Sequence, residues 1–222
     1  MKSGAMMMKR LACSLGAAIV LSGALTACVP LVVGGAVAGG SLLAIDRRTS
    51  GAQLEDEGIE LRAASRMRGT FGDRVHVNLT SYNRQVLLTG EVPSAQVKQQ
   101  VEQVAAGVEN VTSVVNDLAV TGQTSLSQRS NDTFVTGRVK AMLLDARDLQ
   151  SNAFKVVTER GTVYLMGRVT QREADRATQV VRSTPGVQKV IRVFEVISEQ
   201  ELARLAPPVK PQAAPVKPAV NP

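Results

Sequence analysis

Few side chains in this sequence could do covalent chemistry, and Cys28 is set apart by its neighbours. It follows Leu25, Thr26 and Ala27. Small residues ahead of a thiol suit a peptidase groove, and the thiolate is a nucleophile able to accept a diacylglycerol group. The other cysteine, Cys13, lies upstream of it, so no disulfide framework can form beyond residue 28. His76, the single histidine, stands between Val75 and Val77 in an alternating run and is expected to face solvent. Acid pairs such as Glu55-Asp56 are isolated, which excludes a metal cluster, and they read as a solvated face before the first helix. Gly90 and Gly167 read as turn glycines, not phosphate cradles. The residue types point to a binding protein with no enzyme activity, no cofactor, no metal and no small-molecule substrate.

The elements around Cys28 are those of a targeting segment. Lys2, Lys9 and Arg10 give a positive start, and the apolar run from Leu11 to Leu25 is too short to span a bilayer. Leu25-Thr26-Ala27-Cys28 resembles the lipobox of bacterial lipoproteins, which implies that residues 1–27 are removed and that Cys28 carries the lipid. Inner-membrane retention in that class goes with Asp after the cysteine; Val29 stands there, so the resemblance implies the periplasmic face of the outer membrane. A spanning anchor through Val29 to Ile45 is the rival, but Pro30, Gly34, Gly35, Gly39 and Gly40 make a poor helix. Residues 28–52, ending in Asp46-Arg47-Arg48-Thr49-Ser50-Gly51, read as anchor and tether. Residues 201–222, with six prolines from Ala206 onward, read as a semi-extended tail.

Between tether and tail the sequence repeats. Gln85-Val86-Leu87-Leu88-Thr89-Gly90-Glu91-Val92 matches Thr162-Val163-Tyr164-Leu165-Met166-Gly167-Arg168-Val169 at an offset of 77 residues. Each copy predicts a helix (about Ile59 to Met67, and Thr133 to Leu144) and then two alternating strands about turns at Tyr82-Asn83-Arg84 and Glu159-Arg160-Gly161. A second helix follows (Ser94 to Ala106, and Gln171 to Ser183), and then a last strand. The fold class is α+β: two tandem αββαβ units at residues 53–121 and 130–200, joined by a linker at 122–129. Each is a three-stranded mixed sheet with two helices on one face. Aromatic residues are only 3% of the chain, so the cores must be aliphatic.

Each unit resembles a BON domain, through the glycine after its second strand (Gly90, Gly167) and the closing Gly186-Val187-Gln188-Lys189-Val190 of the second copy. The first copy departs, with Asn110 in place of that glycine. With the lipobox, Asp-Arg-Arg-Thr at 46–49 and Ser130-Asn131-Asp132-Thr133, the chain is similar to the dual-BON outer-membrane lipoproteins. The resemblance implies that the second BON unit binds anionic phospholipid, through a helix matching Asn131 to Leu144 with Phe134 at an aromatic position, and that the protein supports outer-membrane integrity.

Charge and helical periodicity bear on the same segment. Residues 57–121 carry six Lys and Arg against seven Asp and Glu; residues 130–200 carry eleven against eight. That surplus favours an anionic membrane over nucleic acid in a secreted chain. On the first helix of the second unit, Val135, Val139 and Met142 form one stripe, expected to be core. Phe134, Gly137, Arg138, Ala141 and Leu144 lie opposite with Lys140 at their edge, an apolar wedge flanked by cations. Membrane-binding residues are therefore expected at Phe134, Arg138, Lys140, Ala141 and Leu144. The alternatives are that the patch packs on the first unit, or that it docks outer-membrane assembly or cell-division proteins as an adaptor. The corresponding helix of the first copy carries Glu57 and Glu60 and no large aromatic residue in that position, so that copy is expected to be a structural partner. Metabolic labelling with palmitate should mark the wild-type chain and leave Cys28→Ser unlabelled; an unlabelled wild type refutes the anchor.

Overall fold

A computed structural model of the chain describes residues 46–205. Cys28, the leader, the Gly-rich segment and the Pro-rich segment lie outside the described residues. The described part is one compact unit with two αββαβ repeats. The first comprises α1 (Ser50–Phe71), β1 (His76–Tyr82), β2 (Gln85–Val92), α2 (Ala95–Ala106), β3 (Ser113–Asn116) and β4 (Ala119–Val120). The second comprises α3 (Leu126–Asp145), β5 (Lys155–Glu159), β6 (Thr162–Val169), α4 (Gln171–Arg182) and β7 (Lys189–Val196), and α5 (Glu199–Leu205) follows it.

In each repeat the middle strand pairs antiparallel with its hairpin partner and parallel with the last strand, as the α+β reading requires. The last strand of the first unit is broken: β3 and β4 lie in succession along β2. The Asn116 side chain accepts from the Leu118 N–H at 3.2 Å, and Lys98 Nζ donates to the Leu118 carbonyl, local bonds that compete with the ladder at the break. Gly90 and Gly167 are inside β2 and β6, not in turns. A Cβ on Gly90 would strike the His76 carbonyl of the paired strand, and one on Gly167 the Ala153 carbonyl. Asn110 takes φ of 67° where Gly186 has 95°, and asparagine tolerates that left-handed backbone better than most residues.

The helices cover one face of each sheet. Ile59, Ala63 and Met67 of α1 pack with Val86, Leu88 and Val101; Val135, Val139 and Leu143 of α3 pack with Val163, Leu165 and Val181. The core stripe of α3 therefore ends on Leu143, and Met142, expected there, is 39% exposed. Steps of four from Val135 and Val139 reach Leu143, and Met142 sits at the edge of that stripe. The opposite faces of the two sheets meet through Tyr82, Leu87, Tyr164, Met166 and Val193. Tyr164 donates to Asp117 at 2.6 Å, Asn78 to Glu159 at 2.8 Å, and Lys155 to Glu60 at 2.9 Å across this seam. The first unit is thus a packing partner of the second. His76, expected to face solvent, is part-buried with its side chain 22% exposed, and its Nδ1 lies 2.9 Å from the buried Glu91 carboxylate.

Two acids read as solvated or left unassigned are buried supports. Asp56, 2% exposed, accepts from Ser81 Oγ, Asn83 N and Arg84 N at 2.6 to 2.7 Å, and from Arg48. Asp132 occupies the same place in the second unit and accepts from Arg160 N and Gly161 N at 2.8 and 2.9 Å. Each carboxylate ties a first helix to its hairpin turn, where the residues at the turn have left-handed φ.

The described end of the segment read as tether, residues 46–52, is part of the fold. Thr49 caps α1, which begins at Ser50, well before Ile59. Arg47, 5% exposed, forks onto both oxygens of buried Glu173 at 2.7 and 2.8 Å and donates to the Arg168 carbonyl. Arg48 bridges Asp46 and Asp56 and stacks 4.3 Å over the Tyr82 ring. The expected linker likewise holds the start of α3, where Ser125 caps the Gln128 N–H. The expected tail holds the end of α5.

Asp56→Ala should lower stability by about 3 kcal/mol, since several buried donors lose a charged acceptor; urea midpoints measure it. Burial raises the Asp56 carboxyl, but the hydrogen bonds from Ser81, Arg84, Arg48 and Asn83 outweigh it and hold it below the usual range. Its contribution is therefore complete above about pH 4 and is lost as pH falls through the depressed value. Asp56→Ala should flatten that acid limb. Arg47→Ala, which strands Glu173 in the interior, should cost about 3–5 kcal/mol.

Candidate functional site

The wedge expected on the second unit is built by the two sides of α3. Its inner stripe is consumed by Asp132, Val135, Val139 and Leu143, all buried. That fixes the rotation of the helix and leaves Phe134 69% and Leu144 70% exposed. Gly137, Arg138, Lys140 and Ala141 are exposed beside them, and a Cβ on Gly137 would meet nothing within 4 Å. The structure therefore brings Phe134, Arg138, Lys140, Ala141 and Leu144 onto one open surface. Phe134 and Leu144 do not pack on the first unit.

Sequence reasoning missed Leu126, which is 79% exposed. It lies five turns before Leu144, so the two share a side of α3 and the apolar stripe runs about 27 Å. Ser125-Leu126-Ser127-Gln128 has the spacing of a helix start and could have revealed it. The residues between the large side chains on that stripe are small: Ser130, Gly137 and Ala141.

The cations beside the stripe are not held by carboxylates. Arg138 Nη1 donates to the Pro185 carbonyl at 3.3 Å, and neither Arg138 nor Lys140 meets a carboxylate among the described residues. The first unit offers no equivalent. On α1 the residue in the place of Arg138 is Arg62, held by Glu55 at 2.6 Å, and the place of Phe134 is taken by Gly58. The large exposed apolar side chains of α1 are Leu54 and Leu61, at 71% and 72%.

Among the described residues no group of three metal-ligating side chains occurs, and no helix is long and apolar enough to cross a membrane. Cys28, the expected lipid site, lies outside the described residues.

The BON domain family matches residues 56–122 and 131–198, the two repeats of the fold. The chain is 38% identical to the outer membrane lipoprotein DolP of Haemophilus influenzae, over 86% of this chain and 97% of that protein. It is 32% identical to the 21 kDa hemolysin of Actinobacillus pleuropneumoniae, over 69% of this chain and 80% of that one. It is also 34% identical to the osmotically-inducible protein Y of Escherichia coli, over 51% and 58% of the two chains. Two repeats of one αββαβ fold, each matched by the same family, and a likeness to DolP along nearly its whole length lead to one assignment: the chain belongs to the BON domain family, as a tandem-domain outer-membrane lipoprotein related to DolP.

Proposed function

We propose that this lipoprotein acts by binding, without catalysis, and that it docks its second BON unit on anionic phospholipid through the outer side of α3. Cys28 is the lipid-bearing residue in this reading and holds the chain at the periplasmic face of the outer membrane, whose integrity the bound protein supports. The observation that carries the reading is the exposure of Phe134 and Leu144 at 69% and 70%, on a helix whose other side is fully packed. A large aromatic ring left in water costs about 1.5–3 kcal/mol relative to an apolar setting. The headgroup boundary relieves that cost while Arg138 and Lys140 remain among anionic groups. The two acyl or more chains of the anchor keep the helix at high local concentration above the surface.

A second reading has its own observation. Leu54 and Leu61, two turns apart on α1 of the first unit, are exposed at 71% and 72%. An adaptor that binds outer-membrane assembly or division proteins would use such a pair.

Phe134→Glu should abolish binding to phosphatidylglycerol vesicles and leave the thermal midpoint unchanged. Val139→Glu, which buries a charge at a position of 0% exposure, should unfold the domain. Circular dichroism melts with vesicle co-sedimentation distinguish the two. Equal pelleting of the wild type with neutral and anionic vesicles, or none with either, moves the function to the adaptor reading.

A further inference from the structure

Cations of the second unit fall into two groups. Lys155, Arg168, Arg176 and Arg192 each reach a carboxylate within 3.0 Å. Arg172 lies 3.9 Å from Glu199, and Arg138, Lys140, Arg147, Arg160, Arg182 and Lys189 reach none among the described residues, all six being exposed; four of them, Arg138, Arg160, Arg182 and Lys189, form a separate set. They come from α3, the β5–β6 turn, the end of α4 and the start of β7.

The fold gathers these elements at one end of the unit. The Pro185 carbonyl accepts from Arg138, and the Gly161 carbonyl accepts from the N–H groups of Gln188 and Lys189 at 2.9 and 3.4 Å. A Cβ on Gly186 would meet Val135 at 2.8 Å and Arg138 at 3.7 Å, so the α4–β7 turn lies directly against α3. Arg182 and Lys189 border a pocket of about 400 Å³ with Val187, Val190 and Gln188. Asp132, the carboxylate beside the turn, is buried, its oxygens accept from the N–H groups of Arg160 and Gly161, and it forms no ion pair with these cations among the described residues.

The first unit is an internal control. Strand register and the shared turns place Asn83, Ala106 and Ser113 where the second unit has Arg160, Arg182 and Lys189. Arg62, at the place of Arg138, is paired with Glu55, and Arg84, the cation of that turn, donates to the Asn110 carbonyl at 2.7 Å. The fold therefore does not require free cations at this end.

We infer that the end of the second unit formed by Arg138, Arg160, Arg182 and Lys189 is a platform for the phosphodiester headgroups of anionic lipids. It rests on the membrane-binding reading of α3 and extends that footprint to the hairpin turn and the α4–β7 turn, with Arg138 shared by both. Guanidinium forks match paired phosphate oxygens. An open array of cations around a shallow pocket suits a sheet of headgroups better than one enclosed anion.

The test uses the chain from residue 29 onward, which keeps both sheets and the Asp46–Arg48 segment. Arg160→Asn, Arg182→Ala and Lys189→Ser install the residues of the first unit at exposed positions. Each should weaken partition onto phosphatidylglycerol vesicles about fivefold at low salt, and the triple variant should lose most of the salt dependence. Thermal midpoints should not move, and the first-unit control Arg68→Gln should bind as the wild type does. If the triple variant binds anionic vesicles undiminished while Phe134→Glu does not bind, the platform is refuted and the helix reading stands. If the wild type itself ignores anionic vesicles, both fall. Inorganic phosphate or glycerol 3-phosphate that shifts the Gln188 and Lys189 amide resonances at millimolar concentration, without vesicle binding, makes this a site for a free phosphate and overturns the lipid assignment.

Discussion

A three-stranded sheet has two faces, and the two helices of each repeat cover only one of them. The other face holds Tyr82 and Leu87 in the first unit, and Tyr164, Met166 and Val193 in the second. Alone, either unit of some 65 residues would leave that apolar face in water, a heavy loss for a domain of marginal size. Laid against each other, the two faces satisfy one another, and nearly everything else about the molecule follows. Helices are forced to the outside, polar residues on β1 such as His76 and Asn78 gain carboxylate partners in Glu91 and Glu159, and the seam acquires bonds such as Tyr164 to Asp117.

With folding assigned to the seam, the outer sides of the helices are free to differ. Both copies keep the buried carboxylate that holds a hairpin turn, Asp56 and Asp132, because removing it would orphan turn N–H groups in the interior. Outside, the two helices diverge. Gly58 stands against Phe134, and Arg68 against Leu144. The first unit neutralises Arg62 with Glu55, while the second leaves Arg138 unpaired. Duplication thus gave one copy a scaffold's surface and the other a wedge with cations around it.

Much of this was legible in the residues because it depends on short-range periodicity. Alternation located β1, β2, β5 and β6, the repeat fixed their turns, and the opposition of Phe134 and Leu144 to Val135 and Val139 held in three dimensions. Other features depend on partners far away in the chain. Asp56 reads as a surface acid until Asn83 and Arg84, 27 and 28 residues on, are brought to it. Arg47 reads as tether until Glu173, 126 residues away, closes on it. The choice of Met142 over Leu143 failed for a different reason: both lie within one step of the stripe, and only the tilt of α3 on its sheet decides between them.

The paired arginines after the Gly-rich segment have a mechanical meaning. Arg47 grips the second repeat through Glu173, and the adjacent Arg48 grips the first through Asp56. Tension arriving along the chain from before residue 46 is therefore delivered to both repeats within two residues, through ion pairs loaded side by side. It does not enter α1 from its end, where helical turns would unravel one after another. In a chain moored through Cys28 as proposed, load shared in this way by both repeats would not peel them apart at the seam.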